Sequence, residues 1–399
     1  MIKREMYLKK IRNSYDSELI KVIMGMRRCG KSVLLEQIME EIKEKGIKPD
    51  HIIYINFEDY DFLEYTDPKK FNEYIKSQVK DKDKYYLFFD EIQNVNDFER
   101  VINSFRATMN VSIFITGSNS KLLSGELATV LTGRYISIKM MPFTYSEFLE
   151  LKKSKNEEIT TKTFDEFLEW GGMPLIYNTS DELERKMYLR DLYNAIILKD
   201  IVERNKIKDI QLLNRIIQFM MANIGGVLSS NSIARYLRNE KINTSVDTVM
   251  NYINYSTTSS IFNKVNRYDI RGKSVMSTLE KYYLTDLGLL MLKSTPIEKK
   301  IGGRLENIVY NELVARGNEV YIGKTDKGEI DFVVDNFGKR EYIQVADYLS
   351  SEEVLQREFG AFKEVDDNFP KYVITMDKID YSQNGIIHLN LEKFLLGKQ

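Results

Sequence analysis

The chain has 399 residues, 43% hydrophobic and 29% charged, with 58 Lys and Arg against 59 Asp and Glu. This length predicts two to four domains and this composition a soluble globular protein; a net charge of −1 excludes a global pull towards nucleic acid, so any DNA contact must come from a local patch. One cysteine excludes an internal disulfide framework, two distant histidines (His51 and His388) exclude a zinc motif, no apolar run nears the ~20 residues of a membrane span, and MIKREMYLKK lacks the apolar stretch of a signal peptide, so a cytoplasmic protein is expected.

Residues 21–38, KVIMGMRRCGKSVLLEQI, place the pattern GxxxxGK[ST] (Gly25, Gly30, Lys31, Ser32) between a strand closed by Met24 and a helix opened by Val33. The spacing has a mechanism: glycines let backbone N–H groups turn inward on phosphates, the helix start adds its dipole, Lys31 reaches the β- and γ-phosphates, and Ser32 holds Mg²⁺. The predicted nucleotide-contacting residues are Gly25, Met26, Arg27, Arg28, Cys29, Gly30, Lys31, Ser32 and Val33; a plain glycine turn is the alternative. Cys29 has two arginines and a helix N-terminus beside it, surroundings that favour thiolate. It is read as a small loop filler, with a redox role as the alternative.

Residues 51–62 (HIIYINFEDYDF) supply a further strand, expected between the strand of the phosphate loop and the next one, KYYLFFDEIQ (84–93). The latter ends in adjacent carboxylates: Asp90 would hold the magnesium shell and Glu91 would orient and deprotonate the attacking water. VSIFITGSNS (111–120) ends in a polar cluster, which in a doubly wound sheet faces the ligand crevice. Ser118 or Asn119 therefore either senses the γ-phosphate or caps the following helix. In LTGRYISIKMMPF (131–143), Arg134 precedes another strand, where a buried arginine would serve as an arginine finger, in cis or from a neighbouring subunit, or form a structural salt bridge.

Taken in order, RRCGKS, YINFED, FFDEIQ, ITGSNSKLLSGELATVLTGRY, MPFTYSEFL and WGGMP resemble a family of archaeal and bacterial AAA-superfamily P-loop ATPases, related to the archaeal-ATPase and STAND-type NTPases. Members carry a C-terminal domain of unknown function similar to a restriction endonuclease, and the resemblance covers essentially the whole chain. It implies ATP as the nucleotide, ATP hydrolysis with Mg²⁺, and an α/β fold: a P-loop AAA-type domain with a helical lid, a winged-helix domain and a nuclease-like α/β domain.

Accordingly, residues 1–143 are expected to form the nucleotide domain and 144–217 a helical lid, in which Leu183, Met187, Leu192 and Ile196 make a core-packing stripe. Residues 218–295 resemble a winged helix-turn-helix, with Ser230 and Thr244 placed as helix caps. Its recognition helix, 245–259, contains Asp247 and neither lysine nor arginine, so DNA contact would fall to Arg267, Arg271 and Lys273 of the wing. A packing or protein-contact role is the alternative, with a protein partner or homo-oligomer. In residues 300–399, Glu306 and Asp331 match a nuclease pattern, but Gln344-Val345-Ala346 has alanine where a lysine should polarise the water. The domain is expected to be inactive as a nuclease, with Glu306 and Asp331 lying together and binding a divalent ion weakly; the alternative is that they merely cap a helix and pair with Lys324 or Lys327. An ATP-gated nuclease and a slow nucleotide-timed DNA-binding scaffold are the competing functions.

Overall fold

The computed structural model describes residues 1–118, 131, 133–292, 301–326, 328–336 and 338–398. Two compact units divide the chain, Met1–Met140 and Met141–Gln399.

The first unit is built on five strands, β1 Ile20–Gly25, β2 Ile52–Asn56, β3 Tyr85–Asp90, β4 Val111–Gly117 and β5 Tyr135–Met140, all parallel in the order β2-β3-β4-β1-β5. β1, β3 and β4 are buried along their whole length, as strands covered on both faces require, which explains their continuous apolar runs. In space β4, and not β2, lies between β1 and β3; β2 takes the edge, a correction to the expected place of residues 51–62. Helices α1 Glu5–Ile11, α2 Lys31–Glu44, α3 Pro68–Gln78 and α4 Phe98–Thr108 accompany the sheet. On one side Phe71, Ile75, Ile102 and Phe105 close a core against Ile55, Leu87 and Phe89. Register places Asn56 beside Asp90 and Met24 beside Gly117, so the carboxyl ends of four strands line up at one edge.

The second unit begins with helices α5 Tyr145–Ser154, α6 Thr163–Trp170 and α7 Glu182–Ala195, the last running into a π-helical stretch Ile196–Glu203. A reciprocal Thr144–Glu147 capping box starts α5. The expected stripe on α7 is half right: Leu192 and Ile196 are buried, but Leu183 and Met187 are exposed, because Leu189 and Tyr193 complete the inward face instead. Helices α8 Ile210–Ala222, α9 Ser230–Asn239 and α10 Val246–Thr258 follow. Ser229 and Ser245 cap α9 and α10, one residue away from the expected Ser230 and Thr244.

The hairpin β6 Phe262–Asp269 and β7 Ser274–Leu284 does not stand apart. It joins β8 Glu319–Lys324, β9 Glu329–Asn336, β10 Lys339–Val345, β11 Lys371–Thr375 and β12 Ile386–Asn390 in one sheet, ordered β12-β11-β10-β9-β8-β6-β7. Arg267–Asp269 of β6 pair in parallel with Ile322–Lys324 of β8, so the expected boundary near residue 300 is no break in the sheet. Helix α11 Ile301–Arg316 and helix α12 Glu352–Gly360 lie with these strands. No helix among the described residues is long and apolar enough to cross a membrane.

Candidate active site

At the end of β1 the chain turns through residues 26–29 into α2. Gly30 has φ of +105°, a left-handed conformation that favours glycine, and a Cβ on Gly25 would stand 2.3 Å from the Met140 carbonyl oxygen. Both glycines are therefore dictated by backbone geometry. Beneath the loop the N-terminal segment acts as a brace: fully buried Arg4 donates from Nη1 to the Cys29 carbonyl at 3.0 Å, and its N–H donates to Gln37 Oε1 at 2.9 Å.

Lys31, 4% exposed, sends its ammonium to the carbonyls of Gly25 and Met26 at 3.3 and 3.4 Å, to Ser118 Oγ at 3.0 Å and to Glu91 Oε1 at 3.2 Å. Glu91 sits just past β3 with φ of +52°, a costly conformation for a residue with a side chain. It is held there by Thr116, whose hydroxyl accepts the Glu91 N–H at 2.9 Å and itself donates to Asp90. The Ser118 hydroxyl lies within 2.9 Å of both Glu91 carboxylate oxygens and donates to them, and the Gln93 amide donates to Oε2. Tyr54 on β2 donates to Asp90 Oδ2 at 3.3 Å. Burial alone would raise Glu91, but the Lys31 ammonium and the bonds from Gln93 and Ser118 outweigh it and hold the carboxyl below its usual range. Burial likewise opposes the charge on Lys31, and the Glu91 carboxylate overcomes it, holding the ammonium above its usual value.

Lys31, Asp90, Glu91 and Ser118 thus come together at one sheet edge. Ser32 and Val33 are half-buried in the first turn of α2, and Met26 is buried; Arg27 pairs with Glu58 at 3.0 Å, and Arg28 is exposed. Cys29 is a fully buried thiol whose Sγ lies 3.7 Å from the Met140 carbonyl. Burial raises its pKa despite Lys31 and Arg4, so the surroundings do not favour thiolate. Asn119 lies outside the described residues. Sequence inspection missed Arg4, Tyr54, Thr116 and Gln93. A signal for Thr116 was present, since positions two apart in a strand face the same side and Thr116 stands two before Ser118.

A family model described as an AAA domain matches residues 17–149, and another, described as a domain of unknown function, matches residues 161–297. An uncharacterized protein of Haemophilus influenzae is 36% identical over 380 residues, covering 94% of this chain and 93% of that one. This chain belongs to their family, the AAA-domain proteins. An uncharacterized protein of Methanocaldococcus jannaschii is 32% identical over 408 residues, covering 98% of this chain and 88% of its own. Among solved structures, AMPPCP-bound DnaA from Aquifex aeolicus is similar at 18% identity and a TM-score of 0.34, covering 63% of this chain and 86% of that one. Membership in the AAA-domain family implies nucleotide binding.

Elsewhere in this AAA-domain protein the expected residues are arranged differently. Arg134 is exposed and precedes β5, its carbonyl accepting the Ile20 N–H at 3.0 Å. β1 and β5 run parallel, so Arg134 lies at the sheet edge opposite the phosphate loop, roughly 20 Å away along the strand. That excludes a role in cis within the same site. On the hairpin Arg271 is ion-paired with Asp326, Arg267 is partly buried, and Lys273 is exposed. Glu306 and Asp331 neither cap a helix nor pair with Lys324: the cation beside them is Lys281 of β7, at 3.4 and 3.7 Å. Lys327 lies outside the described residues.

Proposed function

We propose that the chain is a Mg²⁺-dependent ATPase in which nucleotide binding frees the catalytic base. The observation that carries this reading is the buried contact between Lys31 and Glu91 at 3.2 Å, bridged by Ser118. Without nucleotide the two charges satisfy one another. An arriving triphosphate offers the ammonium a stronger counter-charge; Lys31 then turns to the β- and γ-phosphates, and Glu91 loses the cation that depresses its pKa. A carboxylate with its pKa restored is a better proton acceptor, and it is held by Gln93 and Ser118 where it can orient water. Thr116 holds the Asp90 carboxylate and the Glu91 backbone through one hydroxyl, so Asp90 and Glu91 keep their places during the exchange.

The donor set beside the loop, the Ser32 hydroxyl and the Asp90 carboxylate, is all oxygen and suits a hard cation. When bound there, Mg²⁺ would neutralise developing phosphate charge. Arg134 is exposed, which suits supply to a neighbouring subunit. Transmission to the second unit has a route within the first: the Met140 carbonyl touches Cys29 and hems in Gly25, and Met140 is the last residue of that unit. A loop that shifts on binding ATP therefore acts directly on the point where the chain leaves for residues 141–399. The helices 210–258 with their hairpin are read as a winged-helix-like element serving packing or a protein partner, since on the hairpin Arg271 is already paired with Asp326 and Arg267 is partly buried. Phosphate release from ATP by the full chain, with Glu91→Gln as the inactive control, tests the assignment.

A further inference from the structure

Independently of the nucleotide site, three carboxylates of the second unit converge on one buried ammonium. Lys281, 4% exposed, stands on β7 with Nζ 2.5 Å from Glu329, 3.4 Å from Glu306 and 3.7 Å from Asp331. Its backbone is fixed in the ladder opposite Val265 and bridged to Val227 on the other side, so the stem enters from a rigid strand. The carboxylates come from β9 and α11 and have secondary partners: Asp331 Oδ2 accepts the Val345 N–H at 2.9 Å, and Glu306 Oε2 accepts the Tyr283 hydroxyl at 3.0 Å. Glu306 and Asp331 also face a cleft of 550 Å³ that Gln344, Ala346 and Glu358 help to line.

Clustered carboxylates of this kind need a positive charge at their centre. In a metal-dependent site that charge is a divalent ion; here the place is taken by a side chain. We propose that Lys281 is the resident cation of this carboxylate cluster: its ammonium stands where a divalent ion would, so the native cluster takes up none, and removing the lysine charge creates a metal site held by Glu306 and Asp331. A covalently tethered cation cannot ionise water as a bound metal does. The cleft is therefore built for holding its domain together or for binding, without metal-assisted hydrolysis. On this proposal one residue keeps metal chemistry out of the cluster, and it lies far in sequence from the Gln344-Val345-Ala346 segment.

The test is Mn²⁺ binding by the nucleotide-free full chain, read by isothermal calorimetry and by the paramagnetic signal of free ion. Wild type and Asp331→Asn should bind the same amount. Lys281→Met should bind an additional ion per chain and gain thermal stability on adding Mn²⁺, and Asp331→Asn in that background should abolish both. Should Lys281→Met fail to fold, Lys281→Met with Glu329→Gln removes one charge of each sign and should show the same additional ion. A Mn²⁺ ion in wild type that is lost on Asp331→Asn would overturn the proposal, as would either lysine variant folding normally and gaining no ion.

Discussion

Replacing Glu91 by glutamine keeps the shape of the site and the reach to Ser118 but deletes the counter-charge of Lys31. At 3.2 Å, and with an effective dielectric of ~20, the pair is worth on the order of 5 kcal/mol before desolvation is subtracted. Breaking such a buried pair from one side costs about 3–5 kcal/mol, because an unpaired charge stays behind. Nucleotide-free Glu91→Gln should therefore melt well below wild type. ATP resupplies the missing negative charge, and it no longer has to displace a carboxylate from Lys31. Affinity should rise on the order of tenfold, about 1.4 kcal/mol, and the thermal shift caused by ATP should exceed that of wild type. Turnover should fall by roughly 10²-fold or more, the scale of a positioned general base. Differential scanning fluorimetry across an ATP titration, a fluorescent-nucleotide binding curve and a phosphate-release assay measure the three quantities. Equal ATP-induced shifts in the two proteins, or weaker ATP binding by the variant, would refute the exchange of Lys31 from carboxylate to phosphate; turnover near the wild-type rate would show that Glu91 is not the base.

Thr116→Val removes the hydroxyl that serves the Glu91 N–H and Asp90; a loss of about 1–3 kcal/mol in a denaturant melt is expected, with kcat falling more than KM rises. Mixing Arg134→Ala with Lys31→Ala protein should restore turnover if Arg134 serves a neighbouring subunit, and activity per chain should then rise with concentration; a flat profile without rescue would leave it with no catalytic role. Glu41 is held at about 2, against 4.5 for a free carboxyl, by hydrogen bonds from Arg12 that outweigh its burial, aided by Lys3 and Tyr15. Because its folded pKa is depressed, its stabilising contribution is fully present above pH 4.5 and fades as pH falls towards 2. Glu41→Gln should therefore cost about 1–2 kcal/mol at pH 7, discounted for the partly exposed Arg12, and nothing near pH 2, as chemical melts at both pH values would show. Replacing Arg267, Arg271 and Lys273 together by alanine should make the salt dependence of any DNA binding shallower by about one unit, since Arg271 is already paired with Asp326; anisotropy showing a change near three would mean that all three meet phosphate.

What could be read from the sequence was what is local. The phosphate loop, the carboxylate pair after β3 and the polar end of β4 each occupy a few consecutive residues between elements of clear periodicity, and the parallel sheet then aligns them. Arg134 shows the limit of reading segments singly: residues preceding a parallel strand lie at the edge opposite the ligand crevice, so its position argued against the finger in cis. Arg4, Tyr54 and Gln93 join the site through contacts set by chain packing, which no local pattern encodes. On α7, Leu183 and Met187 have helical spacing with Leu192 and Ile196, yet the buried face is completed by Leu189 and Tyr193. Two registers were open, and tertiary packing chose between them. Likewise Lys281 stands on a hairpin strand that sequence analysis assigned to another domain, and only the continuity of the sheet brings it to Glu306 and Asp331.

Hydrolysis of ATP with Mg²⁺ at this site is tested by steady-state phosphate release from the purified full chain over a range of protein concentrations, with Mg²⁺ and with excess EDTA. Release should require Mg²⁺, be lost in Lys31→Ala and fall by roughly 10²-fold in Glu91→Gln. Contradiction would come from a folded, ATP-binding wild-type protein that releases no phosphate at any concentration, or from turnover that persists in EDTA and in both variants.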